Sequence, residues 1–134
     1  MKSLFLKSIL PSLTLLAAAD QQTMLESFTL ASGLEAKLWA GTDLIHSPVA
    51  MDIDARGRVW VTEDLQNSGE KGPHARIKIL EDTDLDGKAD SVKIFGPTFN
   101  SKPMGISVFD NVIVVSMAPN IHVYIDVNRD DVFD

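Results

Sequence analysis

The chain reads as an all-β protein: antiparallel hairpins forming about two blades of a β-propeller, behind an N-terminal signal segment. Three observations carry this. Short apolar runs alternate with polar residues at period two, the mark of half-buried strands. The runs are separated by Asp/Asn/Gly turns. The pattern then repeats: Asp82 and Asp126 open two related acidic stretches 44 residues apart, and Pro48 and Pro103 open two related hairpins 55 apart. Four short strands per roughly 40–50 residues is the signature of a propeller blade.

Of the 134 residues none is cysteine, and the formal net charge is -7. Without cysteine there are no disulfides, thiolate metal sites or cysteine-linked lipid anchors. The acidic balance argues against nucleic acid as a partner, because phosphate binding needs a basic face.

Residues 1–19 read as a secretory signal, which predicts a periplasmic or secreted protein. Lys2 and Lys7 are its basic part, Ile9–Leu16 its apolar part, and Ala17-Ala18-Ala19 a small-residue cleavage site. Lys7 lies late and Pro11 interrupts the run, so an uncleaved amphipathic helix is the competing reading. The stretch falls short of the ~20 apolar residues a membrane span requires.

Residues 20–47 are expected to be a linker with leading strands. Asp20–Glu26 is polar, a linker or helical turn. Phe28-Thr29-Leu30 and Leu34–Trp39 are expected as two short strands around Ser32-Gly33, with Trp39 a core residue rather than a ligand platform.

The first blade is expected over 48–102. It opens with a hairpin through Asp54-Ala55-Arg56-Gly57, Gly57 taking the left-handed position. A long polar loop follows over 64–75. The strands Arg76–Glu81 and Ser91–Phe95 then flank Asp82-Thr83-Asp84-Leu85-Asp86-Gly87-Lys88-Ala89-Asp90. Acidic residues at loop positions one, three, five and nine, with glycine at six, match the spacing of an oxygen-ligand calcium loop. Asp82, Asp84, Asp86 and Asp90 would supply side-chain oxygens and Lys88 its carbonyl. Lys93 stands at position twelve, where an EF-hand places a bidentate glutamate, so the loop closes a β-hairpin instead. The competing reading is an Asp/Gly-rich turn without metal.

The second, incomplete blade is expected over 103–134: Met104–Phe109, the turn Asp110-Asn111, Val112–Met117, Ile121–Ile125, and a weaker acidic loop. Asp126, Asn128, Asp130 and Asp134 are its candidate ligands. Asp131 replaces the glycine at position six, at a conformational cost.

Other chemistry is sparse. His46 could line a propeller mouth as a general base, but nothing at a matching spacing pairs with it. His74 reads as solvated and His122 as structural. Glu63-Asp64 reads as a polar strand end in preference to a substrate or metal contact. No catalytic triad order, phosphate loop or zinc spacing is present.

Together, Ser47–Asp52, Gly57–Glu63, Ile77–Asp84, Asp86–Asp90 and Pro103–Ile106 resemble the bacterial putative membrane-bound dehydrogenase domain, or PVC-type haem-binding family. The resemblance covers nearly all of 28–134. It implies a secreted propeller similar to quinoprotein sugar or alcohol dehydrogenases, a quinone cofactor in the full-length family, and association with the rest of the propeller, a cytochrome module or a membrane. No Cys-x-x-Cys-His is present, so this chain holds no covalent haem. With under two blades where closure needs at least four, the expectation is an N-terminal fragment, inactive alone, whose quinone-binding and catalytic residues have no counterpart here. The alternative is a non-enzymatic, calcium-stabilised propeller for binding or adhesion.

Overall fold

The computed structural model describes residues 23–65 and 75–134, which divide at Leu38/Trp39 into two units. Residues 1–19, expected to be a signal segment, His74 and most of the 64–75 loop lie outside the described residues. Among those described, no helix is long and apolar enough to cross a membrane.

In the first unit, Thr23–Glu26 forms a single helical turn. The strands expected over 28–39 do not form. The turn between them does: Leu34 N–H donates to the Ala31 carbonyl at 3.1 Å, and Gly33 has φ +84°. Among the described residues the flanks join no strand ladder, and Phe28, Leu30 and Leu34 are exposed. A hairpin with no buried face lacks the burial that holds two strands together.

The second unit is all-β. Its first sheet contains β1 (Pro48–Ile53), β2 (Val59–Asp64), β3 (Ala75–Glu81) and β4 (Ser91–Phe99), in that spatial order. Its second contains β5 (Pro103–Phe109), β6 (Val112–Met117) and β7 (Asn120–Ile125), again in order. Every pairing is antiparallel. These are the two expected blades. β4 runs past the expected Phe95 to Phe99 because a bulge opposite Arg76 absorbs the extra residues, with Gly96 at φ +73°.

The registers make the repeat exact residue by residue. Val59 opposes Leu80 as Ile113 opposes Tyr124, and Ile53 opposes Val59 as Val108 opposes Ile113. Both first strands bulge at the same place, Pro48/Ala50 and Pro103/Gly105.

The core lies between the sheets. Trp60, Ile77, Ile79 and Phe95 from the first meet Ile106, Ile113, Val115 and Met117 from the second. The Trp60 and Phe95 rings meet edge-on at 5.0 Å. Each element's alternation supplies this face: Ile77 and Ile79 point to the second sheet, while Arg76, Lys78 and Leu80 point away. Trp39 is not a core residue. It is half-buried and borders an open groove on the outer face of the first sheet.

Candidate metal centre

The antiparallel order places the β1–β2 turn, the β3–β4 loop, the β5–β6 turn and the segment after β7 at one end of the sheets. The first acidic loop closes β3 onto β4, as expected. Its aspartates are organised by backbone N–H groups. Asp86 N–H lies 3.2 Å from both Asp82 Oδ1 and Asp84 Oδ1, Gly87 N–H donates to Asp82 Oδ2 at 2.9 Å, and Lys88 N–H donates to Asp86 Oδ1 at 2.9 Å. Leu85 and Gly87 take φ +62° and +90°, which turns the chain back over its own carboxylates.

One oxygen each of Asp82, Asp84 and Asp86 lies within 4.8 Å of the others. Two oxygens bound to one calcium at about 2.4 Å can stand no more than about 4.8 Å apart. The trio therefore fits a single hard cation. Asp90 stands outside the trio. It accepts the Thr83 backbone N–H at 3.1 Å and its hydroxyl at 2.8 and 2.9 Å. The Thr83 hydroxyl, then its N–H, hold the Asp90 carboxyl below the ordinary carboxylate range. Asp90 closes the base of the loop, and Lys88 takes part through its N–H. Ala89 N–H donates to the Trp39 carbonyl at 2.7 Å.

The second loop copies this bonding 44 residues on. Asp130 N–H lies 3.1 Å from both Asp126 Oδ1 and Asn128 Oδ1, Asp131 N–H donates to Asp126 Oδ2 at 2.9 Å, and Val132 N–H to Asp130 Oδ1 at 2.9 Å. Val127 N–H donates to Asp134 as Thr83 N–H does to Asp90. Arg129 and Asp131 take φ +63° and +66°, mirroring Leu85 and Gly87.

Asp131 stands where the first loop has glycine, and its side chain explains why. It accepts from Arg58 Nη1 at 2.6 Å and Lys93 Nζ at 2.7 Å, both on the first blade. Arg58 Nε in turn donates to Asp54 Oδ2 at 2.8 Å, which also accepts the Trp60 indole N–H at 3.0 Å. The guanidinium carbon lies 5.6 Å from the Trp60 ring centre. Burial opposes ionisation of Asp54, but hydrogen bonds from Trp60 and Arg58 outweigh it and hold the carboxyl below its ordinary value. Asp131 behaves alike: burial raises its pKa, and the hydrogen bonds from Lys93 and Arg58 overcome that. Asp110 is held low by its hydrogen bonds from Arg129. The glycine-to-aspartate exchange was the one available signal for this network.

At the opposite end, Glu63 is fully buried. It accepts from Arg76 Nε, from Lys78 Nζ at 3.1 Å and from the His46 backbone N–H at 2.6 Å. Lys78 also donates to the Leu44 carbonyl. Asp64 pairs with Lys102 at 3.0 Å. Burying the whole of Thr62-Glu63-Asp64 was not anticipated; β2 is an inner strand, covered on both faces. His46 enters through its backbone, and His122 stacks on Tyr124 with ring centres 6.1 Å apart. Among the described residues, neither imidazole meets an acidic side chain that would make it a general base.

No curated protein and no solved structure matches the chain. A family model described as a domain of unknown function (DUF7133) matches residues 20–134. That match runs through both sheets and both acidic loops, and the chain belongs to this family.

Proposed function

We propose that the chain is a pair of calcium-clamped propeller blades from an exported, dehydrogenase-like protein. In this reading it supplies scaffold, while quinone binding and catalysis fall to other blades or to a cytochrome module. The observation that carries the reading is the duplicated loop: two segments 44 residues apart share their hydrogen bonds and left-handed positions, and the first gathers three carboxylates within reach of one ion. Calcium would be held by Asp82, Asp84 and Asp86, and more weakly by Asp126, Asn128 and Asp130, which offer one carboxylate fewer. Bound there, calcium neutralises carboxylates that otherwise repel one another.

A purely scaffolding or binding propeller is the second reading. It is favoured by the buried acids Asp54, Glu63, Asp64 and Asp131, each held in an ion pair. Asp54 and Asp131 line a small cavity of about 180 Å3, where both are paired with Arg58.

Calorimetric titration of the purified chain tests the clamp. Calcium is expected to give binding heat that Asp84→Ala abolishes at the first loop. Equal heats from the two proteins would overturn it.

A further inference from the structure

The sheet-to-sheet contact inside this chain is unsymmetrical. The second sheet offers the face bearing Ile106, Val108, Ile113 and Val115, and the first answers with its opposite face, bearing Trp60, Ile77 and Ile79. The registers identify the counterpart of each face on the other sheet. Met51, Ile53, Val59 and Val61 on the first sheet correspond to Ile106, Val108, Ile113 and Val115 on the second. Conversely, Ile121 and Val123 on β7 correspond to Ile77 and Ile79 on β3.

Both counterpart faces are open in part: on the first sheet Val61 is buried and Val59 half-buried, while β1 is uncovered. Met51 and Ile53 are 59% and 56% exposed and border a groove of about 980 Å3 that Trp39 flanks. Ile121 and Val123 are 72% and 58% exposed, whereas Ile77 and Ile79 are 0% and 3% exposed. One molecule thus carries an apolar socket and an apolar plug at register positions that are engaged within the same chain, although the plug has Val114 where the first sheet has Trp60 and has no fourth strand to match Phe95. Exposed apolar faces of this kind mark association surfaces.

We propose that the chain associates head to tail with a second copy of itself, the β7 face of one molecule seated in the β1–β2 groove of the next. The contact is heterologous, so each molecule keeps one face free and growth continues until geometry closes a ring. It is weaker than the contact inside the chain. The counterpart of Asp131 in the first loop is Gly87, and the counterpart of Arg58 on the second sheet is Val112, so the ionic tie has no equivalent between molecules. The inference rests on the repetition of the sheets and is independent of cation binding.

Sedimentation velocity on the full chain, across a micromolar to several-hundred-micromolar dilution series, tests it. Wild type should grow beyond a monomer with concentration. Met51→Lys blocks the socket and Ile121→Lys blocks the plug; both sites are exposed, so each variant should keep its β-sheet circular dichroism and remain monomeric. An equimolar mixture of the two should form a one-to-one dimer and stop there, because each supplies the face the other lacks. A wild type that stays monomeric throughout, single variants that still associate, or a mixture that stays monomeric would each overturn the proposal.

Discussion

Replacing Asp131 by glycine restores the residue that the first loop carries at the same position, and it should nevertheless weaken the fold. Two effects oppose each other. Aspartate at φ +66° pays a left-handed penalty of about 1 kcal/mol that glycine does not. Against that, the carboxylate joins Arg58, which is 6% exposed and itself 2.8 Å from Asp54. Removing one member of a buried ion pair costs roughly 3–5 kcal/mol, and the lower end applies because Asp54 remains beside Arg58. The Lys93 side chain is 58% exposed, so its pair adds little. The net loss should be about 2 kcal/mol, or about 8–16 °C in Tm for a unit of this size. Asp131→Asn keeps the tolerance of that backbone region but loses the charge, so it should be somewhat worse. Urea unfolding of the three proteins at constant calcium measures this. If Asp131→Gly is as stable as wild type or more so, the ionic tie between blades does not contribute as argued.

Glu63→Gln should cost roughly 3 kcal/mol in the same assay, because Arg76 and Lys78 lose their shared buried carboxylate, while Glu35→Gln, at an exposed pair, should change stability by under ~0.5 kcal/mol. Gly96→Ala should cost about 2 kcal/mol, since alanine would combine φ +73° with a Cβ 3.1 Å from the Phe133 ring; Gly87→Ala, at φ +90° with open space around it, should cost about 1 kcal/mol. Acid should unfold the wild type more steeply than an Arg58→Met variant. Asp54 and Asp131 have folded pKa values below their unfolded ones, so their stabilisation is complete above about pH 3.9 and is lost as the pH falls through the folded values. Urea midpoints between pH 6 and 2.5 check this, and parallel curves for the two proteins would contradict it.

The strands were legible because each carries its own alternation and each turn its own Asp, Asn or Gly. The pairing of Pro48 with Pro103 and of Asp82 with Asp126 located both blades. Reading failed where a segment's fate depends on partners remote in sequence. Phe28–Leu30 and Leu34–Trp39 have strand-like composition, yet among the described residues no strand ladder includes them. Glu63 looked like a solvated strand end because its cover comes from His46, Arg76 and Lys78. Asp131 looked like a defective glycine because Arg58, the residue it serves, lies 73 positions earlier. Asp90 and Asp134 fit a ligand spacing; what spacing does not reveal is that each also accepts a backbone N–H at the base of its loop, from Thr83 and Val127.

The strictly sequential strand order has a kinetic consequence. Each ladder joins neighbours in the chain, so most sheet pairings close short loops at small entropic cost, the low-contact-order condition under which domains fold quickly. The Arg58–Asp131 tie spans far more chain than any of them. It gains its buried geometry only once two preformed sheets meet, which makes docking of the blades, rather than assembly of either, the late event in folding.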